Sequence, residues 1–404
     1  MPTLTYDEVL DACHAGGPSC LTSRTELAPA AGPQASVAPA KFAPAQETGK
    51  GRAGVYAYEY RFIDGVRREV VLLDSKQSQL NRAEAALMSA ITDGNPLLTR
   101  IPRIEVVYDR DGGQDRYSDL ELPHRAFDGH IRAGTVNSQP ATDLPAYRAL
   151  RDATPSNARP LLEASPATIV FGGWDASRST RQGRWRSLLV GEVIGVCADG
   201  GTPALKGGAR VDPVGMQVKL SGDALSAIAL AQRGELSAKT YDKVLKEAKG
   251  AKNDLASAST LGLGGIPPSL GTLAGVACER IVRSHVLSFA ALRQVRFGAE
   301  AAGDAACRAL LAALALDALA RADSELSLRA NCDLVETGPT EVTLDRRHGE
   351  RDQLEALSIE EADGLLVEAL AVAEREAGVS WQGVVLTVAG NPDIVAGVVD
   401  AEEE

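Results

Sequence analysis

Arginines and tryptophans alternate in the stretch that follows Gly172 and Gly173. This stretch holds two tryptophans and four arginines: Trp174, Arg178, Arg181, Arg184, Trp185 and Arg186. Arginine forks match phosphate oxygens, indole faces stack on bases, and glycine lets a backbone approach a ligand closely. The stretch is therefore typical of a contact with single-stranded nucleic acid. The alternative is an ordinary solvated basic loop.

A second polar set stands where a helix is expected to begin, because Asp74 or Ser75 has the character of an N-cap. Its members carry hydroxyl, amide or cationic side chains: Ser75, Lys76, Gln77, Ser78, Gln79, Asn81 and Arg82. Backbone N–H groups at a helix N-terminus favour a phosphate, and these side chains would add donors. A well-capped surface helix explains the same residues equally well.

A third set lies in the run from Leu122 to Gly134. Its residues His124, Arg125, Asp128 and Arg132 fall at helical spacing and are expected to share one face. A metal site built from His124, Asp128 and His130 is disfavoured because position 130 lies off that face. We therefore expect no metal.

The elements that must position these sets follow from hydrophobic pattern and turn chemistry. The clearest is a β-hairpin over Gly54–Leu73 with an Asp64-Gly65 turn, which puts Tyr56, Tyr58, Tyr60 and Phe62 on one face as core or as a stacking platform. The remaining predicted strands cover Cys20–Leu27, Pro102–Tyr108, Ser118–Leu122, Thr168–Phe171, Ser187–Ala198, part of Cys278–Phe297, Glu325–Glu336 and Val384–Val388. The remaining predicted helices begin at Thr5 or cover Ala224–Lys249, Gly298–Asp323 and Ser358–Ala377.

This order of elements indicates an α+β chain and is compatible with a split βαβ, ferredoxin-like sheet that carries insertions. Residues 28–53 are expected to form an Ala/Pro-rich loop, and residues 350–404 an acidic C-terminal part. The run GLGGIPPSLG after Leu261 fits neither dinucleotide-binding nor P-loop spacing, so no cofactor is expected.

Charge does not exclude a nucleic-acid partner, although the net charge of the chain is −12. From Glu350 to Glu404 the chain holds 14 acidic and 2 basic residues, which leaves 40 of each before that point. The acidity is therefore a C-terminal property, and the rest of the chain is neutral with basic clusters.

Cysteine usage and the absence of long apolar runs bear on location. The six cysteines are scattered with no C-x-x-C pair, which is typical of reduced thiols in a cytoplasm and disfavours a structural zinc. We see neither a signal-peptide pattern nor an apolar run of about 18 residues. We therefore expect a cytoplasmic protein without a membrane partner.

Three runs between Val70 and Gly195 together resemble one known family. In chain order they are VLLDSKQSQLNRAEAAL, LELPHRAFDGHIRAG and SPATIVFGGWDASRSTRQGRWRSLLVGEVIG. The chain thereby resembles the RAMP-type backbone subunit of type I-G (formerly I-U) CRISPR Cascade complexes. The resemblance implies a single RAMP-type domain over 1–404, with an RNA-recognition-motif-like palm and inserted finger and thumb segments within 172–285.

The resemblance also implies a function and partners. Several copies would polymerise along one CRISPR RNA and present its spacer for pairing with target DNA, beside a large Cascade subunit and a fused repeat-processing subunit. The backbone subunits of the family are not nucleases, so no catalytic residue is expected. The implied RNA contacts are Ser75, Lys76, Gln77, Gln79, Asn81, Arg82, His124, Arg125, Trp174, Arg178, Arg181 and Arg184.

Two other functions stay open at this point. One is a metal-dependent nuclease that uses His124, Asp128 and Asp175, and the other is a free, monomeric RNA-binding module. Loss of cleavage in aspartate variants would favour the nuclease. Assemblies whose size follows RNA length would favour the backbone subunit.

Overall fold

The structure is a computed structural model. It describes residues 1–43, 55–110, 112–180, 182–198, 205–251, 254–273 and 275–397. The chain divides into two compact units. Unit 1 comprises Met1–Gly201 and Ala277–Glu404, and unit 2 comprises Thr202–Val276.

Helices are found in both units. The described helices are α1 (Tyr6–Cys13), α2 (Lys76–Thr92), α3 (Gly129–Ala133), α4 (Pro145–Arg151), α5 (Arg159–Ala164), α6 (Pro166–Val170), α7 (Gly222–Ala231), α8 (Ala238–Ala251), α9 (Phe289–Leu292), α10 (Ala301–Ser324), α11 (Ile359–Ala377) and α12 (Pro392–Ala396). Only α7 and α8 belong to unit 2.

Strands are also found in both units. The described strands are β1 (Cys20–Pro29), β2 (Lys41–Phe42), β3 (Val55–Tyr56), β4 (Tyr58–Ile63), β5 (Val66–Asp74), β6 (Arg103–Arg110), β7 (Gly113–Ser118), β8 (Thr135–Val136), β9 (Gln139–Pro140), β10 (Gly173–Trp174), β11 (Arg184–Trp185), β12 (Leu189–Cys197), β13 (Leu205–Arg210), β14 (Lys219–Ser221), β15 (Leu255–Ser257), β16 (Ile266–Leu273), β17 (Cys278–Ser288), β18 (Leu334–Glu336), β19 (Glu341–Arg347), β20 (Glu350–Leu354) and β21 (Val384–Ala389).

The main sheet of unit 1 runs in the order β20-β19-β1-β17-β12-β5-β4, with β18 paired to β1. Its four central strands, β19-β1-β17-β12, are each antiparallel to their neighbours. Taken along the chain these are the fourth, first, third and second strands. Helix α2 precedes the second strand and α10 precedes the fourth. This is the split βαβ order, and it confirms the predicted α+β fold with an RNA-recognition-motif-like palm.

The core of unit 1 lies between this palm sheet and its helices. Helix α10 packs against α1, α2, α6 and α11, and sixteen of its residues are buried. A helix surrounded in this way has apolar residues on every side, which explains its run of alanines and leucines, although Asp304, Arg308 and Asp317 are also buried in it. Within the described residues, no helix is long and apolar enough to cross a membrane.

Several predicted local features are confirmed. Thr5 and Glu8 form a capping box at the start of α1, and Ser358 caps α11 in the same way. The turn residues Asp64 and Gly65 both have positive φ, 49° and 79°, as a two-residue hairpin requires. Short-range chemistry therefore determines these elements.

Other elements differ from the predictions. The Thr168–Phe171 strand is wrong, because the segment forms helix α6 with a proline in its first turn. Proline is pre-organised for that position, and burial on all sides outweighs the β-branched propensity. Residues 119–122 form a turn where a strand was expected, and the strand expected over Glu325–Glu336 is confined to β18.

Two predicted helices are also broken. The helix expected over Ala224–Lys249 is split into α7 and α8, with Gly234 between them. The residues expected to share one helical face from His124 to Arg132 are divided at Asp128, whose extended backbone caps α3. Glycine and N-cap aspartate both favour interruption of a helix.

A buried polar chain connects the palm strands to α2. The Ser23 hydroxyl lies 3.4 Å from His285 Nδ1, and His285 Nε2 lies 3.1 Å from Gln79 Oε1. The Gln79 amide donates to Asp74 at 2.6 Å. Burial lowers the pKa of His285 to about 3, so its neutral ring donates through Nε2 and accepts through Nδ1.

Gly191 makes room for this chain, because a Cβ added there would lie 2.0 Å from His285 Cδ2. We expect Gly191→Ala to lower the free energy of unfolding by about 2 kcal/mol, as overpacking of a core does. Urea unfolding measures this. The matched control is Gly364→Ala in α11, where an added Cβ meets nothing within 4 Å. It should gain about 0.5–1 kcal/mol of helix propensity, and an equal loss in both variants would contradict the steric argument.

A carboxylate pair between α10 and α11 makes a pH-dependent contribution to the free energy of unfolding. Burial, with Asp363 nearby, raises the pKa of Asp317 to about 7, and Arg321 donates to Asp317 Oδ1 at 2.7 Å. A raised pKa stabilises the fold at low pH, and this contribution is lost as pH rises through 7. Asp317→Asn should therefore stabilise the protein at pH 8, by about 1 kcal/mol as an order of magnitude, and the gain should shrink towards pH 5. Thermal unfolding at both pH values measures it. A gain independent of pH would contradict it.

Unit 2 has a small core of its own. Helices α7 and α8 pack through Leu225, Ala229, Val244 and Ala248, with Ala258 beside them. Strands β13 and β16 form one antiparallel pair, and β14 and β15 form another.

Candidate nucleic-acid interface

The start of α2 is organised by Asp74, whose side chain is fully buried. Its carboxylate accepts hydrogen bonds from Ser78 Oγ at 2.9 Å, from Gln79 Nε2 at 2.6 Å and from Arg82 Nε at 3.0 Å, and it pairs with Arg329. Burial alone would raise the pKa of Asp74, but the hydrogen bonds from Arg82, Gln79 and Ser78 outweigh it and lower that pKa. Asp74 is therefore an ionised hub.

This hub divides the predicted helix-start set in two. Ser75 caps α2 by accepting the backbone N–H of Ser78, and Gln79 and Arg82 bond to Asp74. Lys76, Gln77 and Asn81 are exposed. Gln77 and Asn81 stand four residues apart and share a face of the helix. The outward donors at this end of the helix are therefore Lys76, Gln77 and Asn81.

Arg125 clamps three of the predicted segments together. Its Nη2 lies 2.6 Å from Glu84 Oε2 in the middle of α2, and its Nε bonds the other oxygen of the same carboxylate. Its Nη1 donates to the carbonyl oxygen of Gly172 at 3.0 Å. Burial raises the pKa of Glu84 to about 7, and the hydrogen bonds from Arg125 oppose that rise. A bidentate arginine–carboxylate pair fixes geometry as well as charge.

The tryptophan and arginine stretch begins at Gly172, whose carbonyl oxygen accepts the hydrogen bond from Arg125. Gly172 has φ of +91°, and a Cβ there would lie 2.9 Å from the Trp185 carbonyl oxygen. Trp174 and Arg184 are paired across the β10–β11 ladder. The Arg184 guanidinium lies 5.1 Å from the centre of the Trp174 ring, which is 47% exposed. An exposed indole with a cation beside it suits stacking on a base and contact with its phosphate.

The base of the loop is held by internal ion pairs. Asp175 is buried and accepts from Arg151 Nη2 at 2.6 Å. Arg178 donates to Asp152 at 2.6 Å and to the Arg151 carbonyl oxygen at 2.9 Å. Arg178 therefore anchors the loop, and Arg184 extends from it. Arg181 lies outside the described residues.

His124 and Asp128 stand beside the clamp. His124 is exposed, and its backbone N–H donates to Asp128 at 3.0 Å. The other Asp128 oxygen accepts the backbone N–H of His130 at 2.9 Å, and the His130 ring bonds to the Tyr108 hydroxyl. Among the described residues, no group of three or more His, Cys, Asp or Glu side chains is placed to hold a metal ion.

The aromatic face of the predicted hairpin is divided between core and solvent. Tyr56 is buried, whereas Tyr60 and Phe62 are exposed, Phe62 by 76%. The Arg67 guanidinium lies 3.7 Å from the centre of the Tyr60 ring. The hairpin tip therefore offers a second aromatic surface with a cation on it.

Sequence reasoning missed Glu84 and Arg329. Glu84 positions Arg125 over a separation of 41 residues, and Arg329 pairs with Asp74 over a separation of 255. No local spacing predicts contacts of this range. The one available signal was that Asp74 and Ser78 are four residues apart, which favours a bond within the helix start.

Residues 21–199 match the family model described as CRISPR-associated protein GSU0053 (Cas_GSU0053). This range contains α2, the Arg125 clamp and the Trp174–Arg184 pair. No curated protein matches the chain.

Proposed function

We propose that this chain is the backbone subunit of a Cascade complex. The match of residues 21–199 to a model of a CRISPR-associated family supports this. Several copies assemble along one CRISPR RNA and hold its spacer for pairing with target DNA. In such complexes sequence is read by base pairing, while the protein holds the backbone.

The observation that carries this proposal is the Arg125 clamp. It ties α2, through Glu84, to the Gly172 carbonyl oxygen that precedes the Trp174–Arg184 pair. Cations and amides meet phosphates, and an indole meets bases, with no requirement for a particular sequence. This combination supports binding of a guide whose sequence varies.

The proposed subunit is not a catalyst. Asp175 is paired with Arg151, and Asp128 accepts two backbone N–H groups, so both carboxylates proposed for a nuclease are already occupied. Under this proposal Asp128→Ala and Asp175→Ala abolish no activity, since a labelled RNA incubated with Mg²⁺ or Mn²⁺ stays intact with the unmodified protein. Cleavage by the unmodified protein that is lost in both variants would establish the nuclease instead.

Assembly on RNA tests the backbone role directly. The protein is mixed with RNAs of roughly 60 and 30 nucleotides, and the complexes are weighed by native mass spectrometry. We expect several copies per RNA, about twice as many on the longer one. A single copy on both lengths would identify a free RNA-binding module. The proposed partners, a large subunit and a fused repeat-processing subunit, should join the same complex when co-expressed.

Removal of the outward cations should weaken binding in a salt-dependent way. For Lys76→Gln with Arg184→Gln we expect lower RNA affinity. The slope of log K against log salt should be smaller by about 1.4, because each of the two lost phosphate contacts contributes about 0.7 on a single strand. Fluorescence anisotropy at several salt concentrations measures both quantities.

The matched control is Arg375→Gln, which removes an exposed cation of α11 that pairs with the adjacent Glu376. It should leave the slope unchanged. An unchanged slope in the Lys76 and Arg184 variant would show that RNA does not bind at this surface.

A further inference from the structure

Unit 1 contains a cavity of about 660 Å³ next to the end of α10. Its walls are largely apolar and include Leu21, Leu316, Leu319, Val342 and Leu357. This volume lies within the usual range of ligand-binding pockets. We call it the α10 cavity.

The mouth of the α10 cavity is acidic. Asp323, Glu336, Glu355 and Glu360 all line it. The buried Arg283 lies 3.3 Å from Asp323 and 2.7 Å from Glu336, so it neutralises part of the negative charge of these two carboxylates. Glu355 is exposed and pairs with the N-terminal amine at 2.7 Å, and Glu360 is exposed. An apolar group that enters this cavity is therefore favoured if cations surround it.

Unit 2 exposes apolar side chains on a surface that also carries a cation. Val211 is 73% exposed and Val214 89% exposed, and Met216, Leu263 and Ile266 are exposed near them. The two segments are held together because Asp212 accepts the backbone N–H of Gly264 at 2.9 Å, and Gly265 donates to the Met216 carbonyl oxygen. We call this surface the apolar corner. Isolated exposed apolar residues are normal, but a contiguous patch marks an interaction site.

The two units also differ in charge. Unit 2 holds nine lysines and arginines against six acidic residues, a net charge of +3. The whole chain carries −12, so unit 1 carries −15. Arg210 precedes the apolar corner directly and is exposed. An apolar patch on a basic unit therefore complements an apolar cavity with an acidic mouth.

We propose that the apolar corner of one copy docks into the α10 cavity of a second copy. The contact is heterologous, since a corner meets a cavity, and such contacts continue into open chains of copies. The inference rests on the self-assembly in the proposed function and names the surfaces that perform it. It needs no RNA to form.

The test uses two variants of the full chain, each with one surface disabled. Ala320→Trp fills the α10 cavity, which Ala320 lines. Val211→Ser with Val214→Ser removes the apolar corner. Sedimentation without RNA should show association of the unmodified protein that rises with concentration, and at least ~10-fold weaker association of each variant, equivalent to a loss of ~1.4 kcal/mol. Circular dichroism verifies that each variant is folded.

Mixing the two variants gives the sharpest outcome. One retains an intact corner and the other an intact cavity, so the mixture should form 1:1 dimers that grow no further. A mixture that stays monomeric, or variants that associate as well as the unmodified protein, would overturn the proposal. If Ala320→Trp fails to fold, Glu360→Lys at the cavity mouth replaces it. The matched control for the corner variant is Val367→Ser, which changes an exposed valine of α11.

A short RNA separates this inference from the proposed function. On an RNA of roughly 6 nucleotides, which accommodates one copy, both variants should bind as well as the unmodified protein. Weaker binding by the corner variant alone would assign the corner to RNA and overturn the docking. If the unmodified protein binds no RNA at all, the proposed function fails, while the RNA-free sedimentation still decides the docking.

Discussion

Arg125→Met is expected to lower the free energy of unfolding by about 3 kcal/mol, because it leaves the buried Glu84 carboxylate without its cation. The same change removes the donor to the Gly172 carbonyl oxygen, so the Trp174 loop loses its link to α2. We therefore expect weaker RNA binding even at temperatures where the variant is folded. Urea unfolding and anisotropy measure the two effects.

The pH dependence of this variant has a definite sign. Burial already raises the pKa of Glu84 to about 7, and loss of Arg125 removes the interaction that opposes the rise. A raised carboxyl pKa contributes stability that is lost as pH rises through it. The variant should therefore be less destabilised at pH 6 than at pH 8.

Two further variants complete this test. Glu84→Gln with Arg125→Met should be more stable than Arg125→Met alone, since no unpaired charge is left. Arg148→Met removes an exposed pair with Asp143 and should cost no more than about 1 kcal/mol. Equal losses for Arg125→Met and Arg148→Met would show that the clamp does not hold the fold.

Asp74→Ala is expected to be at least as costly, about 4 kcal/mol, because it leaves Arg82 and Arg329 without their shared carboxylate. The Gln79 amide also loses its acceptor, which loosens the link to His285. Asp74→Asn should cost less, since it keeps one acceptor oxygen. Urea unfolding at pH 7 measures both variants.

The pH test for Asp74 has the opposite sign to that for Glu84. Its pKa lies below the usual 3.8 because the hydrogen bonds from Arg82, Gln79 and Ser78 outweigh burial. A lowered pKa gives stability that is present above 3.8 and lost as pH falls through the folded value. The advantage of the unmodified protein over Asp74→Asn should therefore be full at pH 7 and shrink in acid. An advantage that does not change between pH 7 and strong acid would contradict the ionised hub.

The parts of the fold that could be predicted are those set by neighbouring residues. Asp64-Gly65 specifies a hairpin turn and Thr5 with Glu8 specifies a capping box, because the interacting groups lie within three residues of each other. The Thr168–Phe171 segment shows the limit. Its β-branched residues favour a strand, but its surroundings, which no local pattern reports, bury it as a helix.

The candidate site shows the same division. Sequence reasoning found the helix start, the His124–Arg125 run and the Trp174 loop as separate polar segments. It could not show that Gln79, Arg82 and Arg178 bond to other parts of the protein. Partners such as Asp152 and Leu328 come close to these residues only when the chain folds. The predicted RNA contacts of these three residues stay predictions, and Lys76, Asn81 and Arg184 are the outward groups to test first.

The order of the palm strands affects how the protein can be synthesised. Strand β17 pairs with β1 on one side and β12 on the other, and Leu21 is aligned with Leu287. Strand β1 therefore leaves the ribosome long before its central partner, since Leu287 is synthesised 266 residues after Leu21. During that interval its edges are open to other nascent chains, a known cause of aggregation. Slow, late closure of this kind makes the unfinished chain a natural client of chaperones.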